Sequence, residues 1–275
     1  MSQSRERDSA ALWLPLLRDL SHLSPDHAVW KNAESGLKGT GDVDFVAPQS
    51  SWPAVEEAFR SWAECNAMGP VIACRHMPDT VFLVAVDRAR SDFVQLDVRS
   101  RMTFRGSTVF VPGDLGACFE LDTRGFRRLR PGAEGLLKLV VSGIAPGGRP
   151  KHRAIAKESV VELLTRDPRG VDAGAAVCGP VRDAARRGAQ AVRESRWNRR
   201  AMATVEAWFV AKGLAEPLTV WGRARAKRAK SECLLIQTSI KQSRRISGEI
   251  EDWLRRVETD HAVSGVLPAP KGERR

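Results

Sequence analysis

The chain predicts an α/β protein: a small mixed β-sheet backed by helices over roughly residues 1–130, then a mainly helical, basic domain over 131–267 and a disordered tail over 268–275. Three observations carry this expectation. Short β-branched and aromatic runs at Val43–Val46, Val71–Cys74, Val81–Val86 and Phe93–Val98 are separated by turn-rich segments, the pattern of strands. After Pro131 the apolar period lengthens to that of helices. Charge divides near the same place. Residues 1–140 hold 17 Lys and Arg against 18 Asp and Glu, a net of −1, whereas residues 141–275 hold 27 against 15, a net of +12.

Taken in order, Leu12, Trp13, Leu16, Leu17 and Leu20 form a helical stripe within Ala10–Leu23. Val29-Trp30 and Val43–Val46 read as strands. Ser51 and Pro53 open a helix that reaches Cys65, with Ala54, Val55, Phe59 and Trp62 facing inward. Glu56 and Glu57 fall early in it, where the helix dipole favours acids. Strands follow at Val71–Cys74, Val81–Val86, Phe93–Val98 and Val109–Val111. A strand, a helix and a run of strands fit a mixed sheet with helices behind it. Beyond Pro131, helices over Glu134–Val141 and Ala154–Leu164 flank a basic loop at Gly147–Arg153, and Asp167-Pro168-Arg169-Gly170 reads as a turn. Helical patterns continue at Val181–Arg200, Met202–Lys212 and Arg223–Val257, with Ser247-Gly248 a candidate break in the last.

Composition narrows the function classes. The length allows two domains and a sizeable core. Five cysteines, odd in number and without a C-x-x-C pair, argue against a zinc site or disulfide framework and for a reducing cytoplasm. No apolar run has the length of a membrane span, and Met1–Asp8 is polar rather than signal-like, so a cytoplasmic protein is expected. The five histidines lack metal-ligand spacing, and no P-loop, Ser/His/Asp or Cys/His pattern is present.

Three aspartates remain. Asp42 and Asp44 lie in Lys38-Gly39-Thr40-Gly41-Asp42-Val43-Asp44-Phe45-Val46, a glycine turn entering a strand, and Asp97 lies in the apolar run Phe93–Val98. Asp-x-Asp after such a turn is common on surfaces, so its context decides its meaning. Strand alternation sends Asp42 and Asp44 to one side, about 7 Å apart along the strand. An acid set into an apolar strand is costly unless paired or metal-bound. A third carboxylate from a neighbouring strand completes an all-oxygen cradle, the ligand type that Mg²⁺ takes when it also holds phosphates.

The run from His27 to Pro48, with Ala28-Val29-Trp30-Lys31-Asn32-Ala33-Glu34 followed by Leu37–Val46, resembles the nucleotidyltransferase superfamily. Within it, the bacterial branch carrying a G-D-I-D-hydrophobic strand is the nearest in pattern. The similarity continues through Gln95-Leu96-Asp97-Val98-Arg99 and Phe104-Arg105-Gly106, then weakly to Pro131–Leu137, and covers about the first half of the chain. The resemblance implies that Asp42, Asp44 and Asp97 bind two Mg²⁺ that hold a nucleoside triphosphate. Most members open a helix with a Gly-Gly or Gly-Ser pair about ten residues before the first acid. This chain instead reads Lys31-Asn32-Ala33-Glu34-Ser35-Gly36, which leaves Lys31, Lys38, Gly39 and Gly41 as the candidate nucleotide-binding residues.

The basic half raises the question of a polyanionic partner. Arg182, Arg186, Arg187, Arg193, Arg196, Arg199 and Arg200 fall in one predicted helix with Trp197, and Arg186, Arg187 and Arg193 are the nucleic-acid-binding candidates. Further clusters lie at Arg223–Lys230 and Lys241–Arg245. At helical spacing, Trp197, Trp208 and Trp253 fit a core better than a base-stacking platform. Two functions stay open. One is a metal-dependent nucleotidyltransferase moving a nucleoside monophosphate to RNA, a protein, a sugar phosphate or a small molecule. The other is a non-catalytic module of the same fold that binds nucleic acid through its basic C-terminal half.

Overall fold

A computed structural model describes residues 9–77, 79–88, 92–151, 158–215 and 233–235. The chain is a mixed α/β protein. Helix α1 (Ser9–Leu23) leads into β1 (Ala28–Lys31), the short α2 (Ala33–Leu37), β2 (Val43–Val46) and α3 (Trp52–Cys65). Strands β3 (Val71–Met77), β4 (Thr80–Asp87) and β5 (Asp92–Arg99) form a meander, followed by the hairpin β6 (Met102–Phe104) and β7 (Ser107–Phe110). Then come β8 (Phe119–Leu121), β9 (Arg127–Leu129), α4 (Pro131–Gly143) and a small ribbon of β10 (Ile144–Ala145) with β11 (Arg149–Pro150). Helices α5 (Glu158–Arg166), α6 (Pro168–Val177), α7 (Arg182–Arg193) and α8 (Arg199–Ala215) follow, and β12 (Cys233–Leu235) returns to the sheet.

The main sheet runs β12-β3-β4-β5-β2-β1-β9-β8. Its centre is mixed: β2 pairs parallel with β5 and antiparallel with β1, while β4 pairs antiparallel with β5. Alternation divides the sheet between two apolar clusters. Val43, Phe45, Leu96 and Val98 pack with α1 and α3, where Trp13 stacks on Trp62 at 5.0 Å and the Trp62 Nε1–H donates to the Leu12 carbonyl at 2.9 Å. Ala28, Trp30 and Val46 face the other way, into a cluster shared with Leu136, Leu137, Val205 and Phe209. The expected boundary at 130/131 coincides with the start of α4, but this cluster runs across it.

Several expectations need correction. The turn at Asp167–Gly170 is a helix start: Asp167 caps α6 by accepting the Gly170 N–H at 2.9 Å, and Pro168 takes the first helical position, where its missing N–H costs nothing. The predicted helix over Val181–Arg200 ends at Arg193, and Ser195 with φ 55 turns the chain into α8. Cys233–Leu235, expected within a helix, pairs antiparallel with Cys74–Ile72 of β3. Ala54 is exposed, and Trp52 and Ala63 take its expected place on the buried side of α3. The rest of Arg223–Val257, both later basic clusters and the expected tail lie outside the described residues. Cys118 and Cys178 are buried in the core, their thiols pushed up by burial to about 11 and about 12, whereas Cys65 is exposed. Among the described residues no helix is long and apolar enough to cross a membrane.

Candidate metal and nucleotide site

The parallel pairing of β2 with β5 sets Asp44 opposite Asp97. Their neighbours Val43, Phe45, Leu96 and Val98 belong to the cluster under α1 and α3, so both acids emerge on the opposite face. Both are buried, Asp44 to 4 % exposure and Asp97 to 7 %. Asp42 is exposed on the turn just before β2. Burial raises the Asp97 carboxyl above the ordinary value; a hydrogen bond from Gln95 Nε2, 2.7 Å from Oδ1, opposes this, and the charges of Asp44 and Asp42 raise it further. The three acids therefore share one electrostatic neighbourhood.

Burial also raises Asp44, outweighing Lys31, whose Nζ lies 3.1 Å from Oδ1. The Asn32 side-chain amide donates to the other oxygen at 3.4 Å. A register shift in β1 brings Lys31 opposite Asp44, and its ammonium rests 5.0 Å from the centre of the Trp30 ring. Arg99, two residues beyond Asp97 on the same face, contributes a second positive charge that lowers both carboxyls.

Asn32 is the residue that precedes α2. Its backbone is left-handed, with φ 57 and ψ 24, and its N–H donates to Glu134 Oε1 at 3.0 Å. Glu134 is buried in the first turn of α4, with Lys138 Nζ 2.6 Å from the same oxygen and Arg128 3.8 Å from the other. The Asn32 amide is thus engaged by the protein.

The turn behind α2 is tightly built. A Cβ on Gly36 would come within 2.8 Å of a Val43 methyl, so glycine lets α2 lie directly on β2. The N–H groups of Lys38, Gly39 and Thr40 bind back to the carbonyls of Glu34, Gly36 and Ser35 at 3.0–3.1 Å, and Gly39 takes φ +69. Lys38, Gly39 and Gly41 are exposed on this turn. Of the nucleotide-binding candidates, Lys31 is the one joined to the acids by an ion pair.

The donor set is all oxygen and includes two buried carboxylates destabilised as anions, which suits a hard divalent cation in chemistry. With the side chains as they stand, no group of three or more His, Cys, Asp and Glu among the described residues is arranged to hold a metal ion. Lys31 supplies part of the positive charge that such an ion would bring.

In the helical half, Arg186 is engaged by Asp172 at 2.6 Å and Asp183 at 3.8 Å, and Arg193 donates to Gln190 at 3.2 Å. Arg187 and Gln190 line two hollows of about 440 and 270 Å³, the larger also bounded by Arg196 and Arg199 beyond the helix break. The Trp197 Nε1–H donates to the Gly148 carbonyl at 2.8 Å and its ring packs on the core, although it lies in the break between α7 and α8 rather than at a helical position. Trp208, also expected in the core, is exposed.

Sequence reasoning did not single out Asn32, Gln95, Arg99 or Glu134. Gln95 and Arg99 were accessible to it, since positions two residues either side of Asp97 share its face of the strand. Asn32 and Glu134 meet across 102 positions, and no local pattern signals that contact. No protein-family model, curated protein or solved structure matches this chain.

Proposed function

We propose that the protein is a metal-dependent nucleotidyltransferase, with Asp42, Asp44 and Asp97 holding divalent metal and a nucleoside triphosphate binding beside them. The observation that supports this reading is the placement of Asp44 opposite Asp97 on adjacent parallel strands, both buried, with Asp42 close enough to act on Asp97. Burying two such acids side by side is costly, and their partners Lys31 and Gln95 offset that cost only in part, since burial still raises both carboxyls. Bound Mg²⁺ would supply charge neutralisation for the transferred phosphoryl group. Lys31 and Arg99 are the cations nearest to hand for the remaining phosphate charge.

The test is incubation with each α-labelled nucleoside triphosphate, Mg²⁺ and, in turn, total RNA, protein and small-molecule extract. Label should pass to one acceptor class and be lost in Asp44→Asn. Failure to label any acceptor favours the second reading, a non-catalytic module that binds nucleic acid through its basic half. That reading draws support from the Asn32 amide held by Glu134 and from seven arginines against two acids between positions 182 and 200.

A further inference from the structure

We propose that Lys31 is an exchangeable counter-ion: it neutralises Asp44 in the metal-free protein, and on metal loading it is released to bind the nucleotide's phosphates. This inference rests on the nucleotidyltransferase reading of the same site. Three observations carry it. Lys31 Nζ lies 3.1 Å from Asp44 Oδ1, on a carboxylate that a metal ion would need. The side chain is 26 % exposed and so has room to swing outward, whereas that of Asp44 is 6 % exposed and fixed in the strand. Two nearby backbone amides are engaged already, that of Asn32 by Glu134 and that of Gly39 by Gly36, so the phosphates would have to be met by side-chain cations, of which Lys31 is the one in contact with the acids.

The physical consequence is competition followed by cooperation. An ammonium against Asp44 repels an arriving cation, so the lysine weakens binding of metal alone. Once metal and triphosphate arrive together, the freed ammonium meets phosphate oxygens and strengthens binding. A purely structural lysine would not act in opposite directions on these two ligands. Trp30, whose ring lies 5.0 Å from Nζ, gives the cation a second resting contact in the metal-free protein.

The experiment compares wild type with Lys31→Met in two titrations. In the first, Mn²⁺ alone is added and unbound ion is followed by its electron paramagnetic resonance signal. In the second, ATP, GTP, CTP and UTP are each added with Mg²⁺ and followed by calorimetry. Lys31→Met should bind Mn²⁺ alone about tenfold more tightly, and the preferred nucleotide with Mg²⁺ about tenfold more weakly. Because the methionine leaves Asp44 without its cation and can impair folding, Lys31→Gln, which keeps a donor but no charge, is the second variant, and the same opposed shifts are expected of it. Shifts in the same direction, or none, in a wild type that binds both ligands overturn the role of Lys31 alone. A wild type that binds neither Mn²⁺ nor any nucleotide overturns the metal reading and this inference with it.

Discussion

Asp44 and Asp97 occupy matching positions on neighbouring parallel strands, and each is held by a different partner, Lys31 for Asp44 and Gln95 for Asp97. The difference decides how the two acids bear on stability. Asp44 has Lys31 in direct ion-pair contact, while Asp97 has a neutral amide, the charge of Arg99 without an ion-pair contact, and the repulsion of two other carboxylates.

Asp97→Asn should therefore raise the melting temperature at neutral pH. Its folded-state pKa lies above the unfolded value, so the folded protein loses stability as pH rises from the ordinary carboxylate range through the raised one. The asparagine removes that loss, so its advantage should shrink as pH falls and vanish below the ordinary carboxylate value. Asp44→Asn should gain less, because it strands Lys31. Thermal melts of both variants from pH 3 to pH 8 check this ordering, and an Asp97→Asn variant less stable than wild type at pH 7 contradicts it.

Asp122 should behave in the opposite sense. Hydrogen bonds from Arg124, at 2.7 Å from Nε and 2.9 Å from the backbone N–H, hold its carboxyl down at about 2, with Arg128 assisting. Its contribution is complete above the ordinary carboxylate range and is lost as pH falls toward about 2. Asp122→Asn should thus be less stable than wild type at pH 7, with the two converging between about pH 4 and pH 2. Urea unfolding at a series of pH values measures this, and a constant difference down to pH 2 refutes it.

Asp167 joins two elements: it caps α6 and accepts from Arg130 Nε at 3.1 Å and from a terminal guanidinium nitrogen at 2.8 Å, just ahead of α4. Asp167→Ala should cost about 1–2 kcal/mol, while Asp167→Asn keeps the cap acceptor and should cost less. Denaturant unfolding distinguishes them; equal losses would assign the effect to the Arg130 pair.

These residues also show what the sequence made legible. The acids stood out because strand alternation and an apolar context are local signals, and periodicity likewise located the meander by its alternation and α1 and α3 by their helical apolar stripes. Asp167-Pro168 was as visible but ambiguous, since an Asp before Pro suits a turn and equally caps a helix with proline at its first position. The break after Arg193 had no glycine or proline to mark it, because Ser195 takes the left-handed conformation itself. The Arg128 network, which ties Glu34, Asp122 and Glu134 to one guanidinium, depends on contacts across up to 94 positions and is settled by packing alone.

If the helical half binds nucleic acid, Arg187 should contribute most among the three candidates. Arg186 is already engaged by Asp172 and Arg193 by Gln190, whereas Arg187 borders both hollows. Arg187→Glu should weaken binding more than Arg186→Glu, and wild-type affinity should fall steeply from 50 to about 200 mM salt by counterion release. Filter binding with a duplex and a single-stranded RNA reads both effects, and affinity that is indifferent to salt removes this surface from consideration.

The central claim is that Asp42, Asp44 and Asp97 form a metal-dependent nucleotide site. Calorimetric titration of wild type and Asp97→Asn with each of the four nucleoside triphosphates, with and without Mg²⁺, tests it most directly. The account predicts binding of at least one nucleotide by wild type only when Mg²⁺ is present, and its loss in Asp97→Asn although that variant is folded and at least as stable. Binding that is equal in the two proteins, or absent from wild type with all four nucleotides, contradicts it.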